Sequence, residues 1–539
     1  MKKQVFSVII ILSFSFCNHA FSQSGAEIIK KAIKDELKRN MDSITSPSCG
    51  KPCFLSYMVR EGKVMTISAS FGAIVQSRIL PSMSNSSRML IGSYHLNDEN
   101  FVGGQNEAFQ VSQNISLPNK PDYWGIRRAI WASTERIYAR ACKKYQTKKL
   151  LLEENGITPD KYVLPDFSIA PVVKIQIPSK SIGLDKTFWE DVARQTSAVF
   201  NKYPEIESSR VNVMLLESTA HFMNSEGTEI ENPFNMASVT IYASIRDENN
   251  NRISETIFFS GELANELPNT ETLKSKANEL VEILNGKKNL ERLEEDYEGP
   301  VLFEGEAVSN LILNSFFSKT GLIATRESVN SNAFELKIPE KPESYMFASK
   351  LNTKVVSENI SIISRSHMKQ YNGKKLAGAF EVDAEGVVPP EELILIENGI
   401  LRTMLNGRTP AFGVEESNGH YRLNAYRGKS IYPGVVYFQV KEGLSKSNLK
   451  EKLLEEAKEE GHDYAFIVRK QKNSNAELVY QVDLETGNEK LIKVGSTQRP
   501  VVRDFKKNPV FSDTELVANI TGGSASAGMP VSIISPDAV

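Results

Sequence analysis

The residues best placed for chemistry lie in Glu304-Gly305-Glu306-Ala307-Val308-Ser309-Asn310, where an amphipathic helix begins. Glu304 and Glu306 put two carboxylates on a first helical turn, where the helix dipole favours negative charge. Such a pair can hold a hard cation weakly or stand as two solvated acids. A hydrolytic zinc site asks for more. It needs about four ligands drawn from imidazole, thiolate and carboxylate, and a glutamate beside the metal to deprotonate water. This turn has no imidazole. Beyond the N-terminal segment the histidines are His95, His221, His367, His420 and His462, and no two share a helical face at ligand spacing. A replacement site would have to draw ligands from distant loops. No cysteine follows Cys142. A serine nucleophile is no better served: Ser524 sits in Gly522-Gly523-Ser524-Ala525-Ser526, and no Gly-x-Ser-x-Gly elbow occurs.

The remaining reactive side chains are thiols. Cys49 and Cys53 frame Cys-Gly-Lys-Pro-Cys, three intervening residues where a redox motif has two. In an oxidising compartment a small-loop disulfide between them is the expectation. Cys142 falls in a helical pattern with Ile137, Tyr138, Ala141 and Tyr145 and reads as a core thiol.

That compartment follows from the N-terminus. Lys2 and Lys3 precede an apolar run over residues 5–16, too short to span a bilayer comfortably, and Ala20-Phe21-Ser22 reads as a cleavage site. Cys17 follows Phe16 rather than the small residue that lipidation wants, so a cleaved signal peptide over 1–22 and a periplasmic or secreted product are expected. No later run is long and apolar enough for a membrane helix. The 539 residues carry a net charge of −2 and are 40% hydrophobic and 24% charged. This balance gives no footprint for nucleic acid.

The elements that must position these residues show in the hydrophobic periodicity. Residues 24–43 read as an amphipathic helix with Ile28, Ile29, Ala32, Ile33, Leu37 and Met41 inward. Residues 53–93 alternate as strands, with Glu61-Gly62-Lys63 read as a turn. Residues 126–153 are helical. Asp185 caps a helix carrying Phe188, Trp189 and Val192, and 271–286 is helical again. After Tyr297-Glu298-Gly299-Pro300 the chain is mostly strand, interrupted by helices near 305–318 and 447–460. Glu397-Asn398-Gly399 reads as a tight hairpin turn. The fold class is α+β. The expected division is a 23–125 N-terminal α+β domain, a 126–296 central α+β domain and a β-rich domain over 297–539.

Several C-terminal stretches occur in an order and spacing that matter together. They are Glu298-Gly299-Pro300-Val301-Leu302-Phe303 leading into the 305–310 turn, and Ala377-Gly378-Ala379-Phe380-Glu381-Val382-Asp383-Ala384-Glu385-Gly386. Then come Leu395-Ile396-Glu397-Asn398-Gly399-Ile400-Leu401, Ser417-Asn418-Gly419-His420-Tyr421-Arg422, and Ile520-Thr521-Gly522-Gly523 with Met529-Pro530-Val531-Ser532. Over 297–539 the chain resembles the TldD/PmbA family of metallopeptidases, once called modulators of DNA gyrase.

The resemblance implies a specific loss. Catalytic members carry His-Glu-x-x-x-His on one helix and a cysteine near the C-terminus as zinc ligands. Carried onto this sequence, the histidines fall on Gly305 and Asn310, the glutamate on Glu306 and the cysteine on or near Gly522. Glu306 is thus the one retained catalytic-type residue, expected to be idle, and no cofactor is expected in this chain. His420, Arg422, Asp383 and Glu385 are the substrate-binding candidates. The resemblance implies a non-catalytic subunit of the PmbA (TldE) type. Its partner would be a zinc-bearing TldD-type homologue, in a heterodimer or with self-association, acting on unfolded peptides. A peptide-binding or assembly protein without proteolysis, and an active peptidase with a non-standard site, are the alternatives.

Overall fold

The computed structural model describes residues 24–539 except 104–114, 159–160, 163, 289, 292, 294–296, 319, 331–341, 343–345, 425–427, 471–472, 475–476, 495–499, 508 and 522–528. The expected signal segment and Gly522 therefore lie outside the described residues.

The first half is built on one seven-stranded sheet. Its long strands are Pro52–Ser70, Ala73–Ile91, Ser208–Asn224, Glu229–Arg246 and Arg252–Gly261. Alternation divides the two faces of the strand Pro52–Ser70. Leu55, Tyr57 and Val59 point into a core with helices α1 (Gly25–Ser43) and α2 (Tyr123–Glu154). Met65, Ile67 and Ala69, in the same phase further along, point into a core with α3 (Lys186–Ala198) and α4 (Thr270–Lys288). Two helix pairs thus lie side by side over one face. Met58, of opposite phase, packs with Ala220 and Phe222 against Val382 and Ala384 of the second half. Asp185 caps α3 as expected, its Oδ1 accepting from the Phe188 amide at 3.0 Å.

Two expectations for this half change. The division at 125/126 is not a domain boundary. Strand Pro52–Ser70 pairs antiparallel with Ser208–Asn224 from Ser56↔Asn224 to Ala69↔Val211, so residues from both segments share one sheet. Glu61-Gly62-Lys63 is not a turn but mid-strand. A Cβ on Gly62 would stand 2.1 Å from the Glu217 carbonyl oxygen, so glycine here permits close approach of the neighbouring strand.

The second half has two larger sheets and, among the described residues, small two-stranded ones. A six-stranded one has the order Ile400–Leu401, Leu393–Glu397, Ile360–Ser364, Val435–Val440, Pro530–Pro536 and Glu515–Thr521. Helix α5 (Glu306–Phe316) covers it through Val308, Leu311, Ile312 and Phe316, against Ile362, Phe438, Val531 and Ile533. A four-stranded sheet contains Val301–Glu304 and Tyr464–Lys470 in parallel, and α6 (Lys446–Glu459) packs on it through Leu449, Leu453 and Ala457. The 397–400 hairpin forms as expected. Asn398 and Gly399 both have positive φ, at 49° and 80°, which a tight two-residue turn requires.

The cysteine expectation is corrected. Cys49 bonds to Cys142 with Cα atoms 5.8 Å apart, and Cys53 is a free thiol. The physical reason is that Cys53 begins the long strand and donates to the Leu90 carbonyl at 3.4 Å, while burial pushes its thiol up to about 12. Cys49, in the loop before it, lies against α2. The bridge spans 93 residues and ties the α1–strand connection to α2. Removal of such a bridge costs about 2–5 kcal/mol, a long loop lying at the upper end. Urea unfolding of Cys142→Ser should show that loss while Cys53→Ser shows little; the reverse pattern would restore the 49–53 pairing.

Candidate functional site

The strand Val301–Glu304 delivers the chain to the start of α5. Its free edge is closed by the C-terminus: Phe303 and Val539 exchange amide bonds at 2.8 and 3.0 Å, and Gly305 donates to the Asp537 carbonyl at 2.7 Å. Gly305 then takes φ +62° and ψ −136° at the N-cap of α5. A side chain there would meet nothing within 4 Å, but the backbone is one that L-residues avoid. Glu306 faces Lys470 at 3.5 Å, and Glu304 is bonded to the Arg469 Nε at 2.5 Å. Ser309, one turn on, is fully buried.

Of the other four predicted residues, Glu385 lies at the junction of the two halves, Asp383 shapes the loop that carries it, and His420 and Arg422 follow on a segment bonded to that loop. Asp383 organises its own loop. Its Oδ1 accepts from the Glu385 and Val387 amides at 2.9 Å each, and its Oδ2 from the Tyr421 amide at 3.1 Å. Burial, and then the neighbouring Glu385 charge, push its carboxyl up to about 7. Glu385 bonds Arg88 through Oε1 and accepts from the Arg408 amide through Oε2 at 2.6 Å. His420 is 1% exposed. Its Nδ1 donates to the Asn418 carbonyl at 2.8 Å, which leaves Nε2 to accept from the Ser364 hydroxyl at 2.9 Å. Arg422 donates to the Pro433 and Pro530 carbonyls and lies 4.7 Å from the Phe380 ring centroid. Two bonded segments therefore carry the four residues, but each residue spends its polar atoms inside the protein, and burial of 91% or more takes them from the surface.

Sequence reasoning missed the residues that complete this cluster. Arg88 reaches from the strand Ala73–Ile91 to Glu99 at 2.7 Å as well as to Glu385. Arg408, 1% exposed, grips Glu226 with two bonds of 2.6 and 2.7 Å. Lys429, on the strand Lys429–Ile431, has its ammonium pushed down to about 8 by burial, with Glu385 opposing that shift. None stands in a recognisable motif. An arginine within an Asn-Gly-Arg turn gave no signal that it would be buried.

Residues 297–502 match the model of the PmbA/TldA metallopeptidase C-terminal domain. The second half of the chain thus carries a domain of the PmbA/TldA C-terminal type. Solved structures share the fold of the chain. TldE from Thermococcus kodakarensis superposes with a TM-score of 0.54 at 13% identity, over 94% of this chain and 97% of that one. A protein described as a modulator of DNA gyrase from Bacteroides thetaiotaomicron gives 0.50 at 12% identity, over 95% and 98%. No curated protein matches by sequence.

The described positions onto which the resemblance carries zinc-site residues hold no histidine or cysteine. Of the positions that would hold or assist the metal, 305 is a glycine in a strained backbone, 310 is an asparagine, and Glu306 is turned to a lysine. Among the described residues no group of three or more histidine, cysteine, aspartate or glutamate side chains is placed to hold a metal.

The buried His420 carries a measurable signature. Burial lowers it from 6.5 to about 3, so the folded state holds it neutral. Below pH 6.5 the unfolded chain binds a proton that the folded chain does not. Its contribution to stability is complete above pH 6.5 and is lost as pH falls towards about 3, at up to about 1.4 kcal/mol per pH unit. Urea unfolding across that window should show a steeper pH slope for the wild type than for His420→Asn, by up to one proton. Equal slopes would mean that His420 is charged in the fold.

Proposed function

We propose that this protein is an exported, non-catalytic subunit of the TldE type, which helps a zinc-bearing TldD-type homologue bind and degrade unfolded peptides. The observation that carries the reading is the start of α5. There a family C-terminal domain retains one carboxylate, Glu306, and that carboxylate is paired with Lys470 at 3.5 Å. A scaffold kept without its ligands fits a subunit whose partner supplies the chemistry. Export is supported by the leader-like segment 1–22 and by the Cys49–Cys142 bridge, a bond at home in an oxidising compartment.

A route for peptide binding is also present. Residues 73–83 of the strand Ala73–Ile91 pair on one side only among the described residues, and the edge exposes Val75, Ile79 and Leu80. An extended peptide can add to such an edge through main-chain hydrogen bonds, whatever its sequence. That suits unfolded substrates.

The test is affinity purification of the chain from its own cell extract, followed by peptide hydrolysis assays. The expected result is co-purification of a homologue carrying His-Glu-x-x-x-His, hydrolysis only by the mixture, and no change with Glu306→Gln. Hydrolysis by the isolated chain that falls with Glu306→Gln would refute the reading. Co-purification of no such homologue would favour a binding or assembly role without proteolysis.

A further inference from the structure

At the joint between the halves Arg88 holds Glu99 and Glu385, and Arg408 holds Glu226. Lys429 stands beside them without a counterpart. Among the described residues its ammonium makes neither a hydrogen bond nor an ion pair, and the Tyr421 hydroxyl likewise has no hydrogen-bond partner. Both groups feel the charges of Glu385, Arg88 and Asp383.

Strand pairing puts the two on one face. In the antiparallel pair of Tyr421–Leu423 with Lys429–Ile431, Leu423 stands opposite Lys429 and Tyr421 opposite Ile431. Directly opposed residues, and residues two apart on one strand, share a face. Tyr421 and Lys429 are therefore diagonal neighbours, about 7–8 Å apart and within reach of each other's long side chains. Their face is turned to the first half, where Tyr421 and Leu423 pack with Met58, Ala220 and Phe222. Arg422, of opposite phase, turns away to the Pro433 and Pro530 carbonyls. Across the joint the strand Ala73–Ile91 presents Ser86, opposite Met58, and Arg88 two residues on.

The packing here is open. Gly407 brings bare backbone against this corner: a Cβ on it would stand 2.9 Å from the Glu385 Oε2 and 3.1 Å from the Tyr421 Cβ. Arg88 and Glu99 keep 24% and 23% of their side-chain surface. Lys429 is only partly buried, yet its neighbours crowd it enough to push the ammonium down to about 8. These are the marks of a cleft, enclosed but reached by solvent. A charge withdrawn from water is unfavourable unless something pairs with it. What this cleft lacks is an acceptor with a single negative charge. A dianion would be repelled by Glu385 and Glu99. A carboxylate brings one charge and two oxygens, one for an ammonium and one for a hydroxyl.

We propose that the cleft at the joint binds an organic carboxylate, with the Lys429 Nζ and the Tyr421 hydroxyl donating to its two oxygens. Two sources present that group: a free small acid and the C-terminus of a peptide. The inference stands whether or not the chain serves a zinc-bearing partner.

The test is calorimetric titration of the chain from Gln23 onward with N-acetylalanine, with an N-acetylated alanine–glycine tetrapeptide, and with the C-terminal amide of each. At about pH 7 an acid should bind, and its amide should bind about tenfold more weakly or worse. Lys429→Met should weaken the acid about tenfold or more, and Tyr421→Phe several-fold less than that, with circular dichroism unchanged. Between about pH 7 and 9 the wild type should lose affinity about tenfold, because the Lys429 proton is lost there. The facing charges are Arg88, Glu99, Glu385 and Asp383; Asp383, raised to about 7, gives up its proton over the same range and works in the same direction. Lys429→Arg, which keeps its charge, should lose several-fold less. Tighter binding of the tetrapeptide acid would name the peptide terminus as the source, and equal binding the small acid. No binding of either acid at millimolar concentration, equal binding of acid and amide, or a folded Lys429→Met that binds as the wild type does would each overturn the proposal.

Discussion

The junction between the two halves rests on a guanidinium that crosses it. Arg408 leaves the second half and enters the first, where it lies 4.1 Å from the Phe167 ring centroid and 5.1 Å from that of Phe54. It meets the Glu226 carboxylate with two bonds and the Ser168 carbonyl with two more, at 3.0 and 2.6 Å. A charge so deeply buried is tolerable only because every direction is answered. Breaking such a pair from one side costs about 3–5 kcal/mol, since the other charge is left in the interior without compensation. Arg88 makes the reciprocal crossing, from the first half to Glu385 of the second. Opposite charges donated from each side give the junction a fixed register, which apolar packing alone would specify less sharply.

A second buried anchor supports the first. Asp166, fully buried, accepts from Lys148 at 2.5 Å, from Tyr162 at 2.9 Å and from the Asn97 amide at 2.8 Å. Arg326 of the second half reaches the same carboxylate at 3.4 Å and the Leu164 carbonyl at 3.0 Å. The loop that carries Asp166 also carries Phe167 and Ser168, so this network holds the wall against which Arg408 lies. Asp383 fixes the loop that presents Glu385 to Arg88 and to the Arg408 backbone. Of the four substrate-binding candidates, Glu385 and the Asp383 loop that presents it therefore serve the joint of the molecule, while His420 and Arg422 bond within the second half.

What the sequence made legible was local. Helix periodicity, the Asp185 cap and the Asn398-Gly399 turn are set by neighbours a few residues apart, and each took the expected form. The absence of imidazoles on the α5 turn is also a local fact. Pairings between remote segments were illegible. The strand Pro52–Ser70 finds its neighbour more than 130 residues later, so the apparent boundary at 125/126 is only the entry to a helix that crosses the same domain. Gly62 has the composition of a turn, but the demand on it comes from a backbone opposite, not from its own dihedrals. Cys49 had a partner four residues away in sequence and took one across the fold, because Cys53 was committed to a strand. His420 and Arg422, substrate-binding candidates in the sequence, are both buried and bonded within the second half, an environment set by segments remote in sequence.

The central claim is that a peptidase-family scaffold here has no metal chemistry of its own. The feature behind it is a glycine with positive φ and a lysine-bound glutamate at the head of α5. The most direct measurement is the zinc content of the purified chain from Gln23 onward, by elemental mass spectrometry after dialysis against zinc-containing buffer and removal of free metal. The account predicts zinc far below one atom per chain. Close to one atom per chain, retained by the folded protein, would mean that other residues have rebuilt a site and would contradict it.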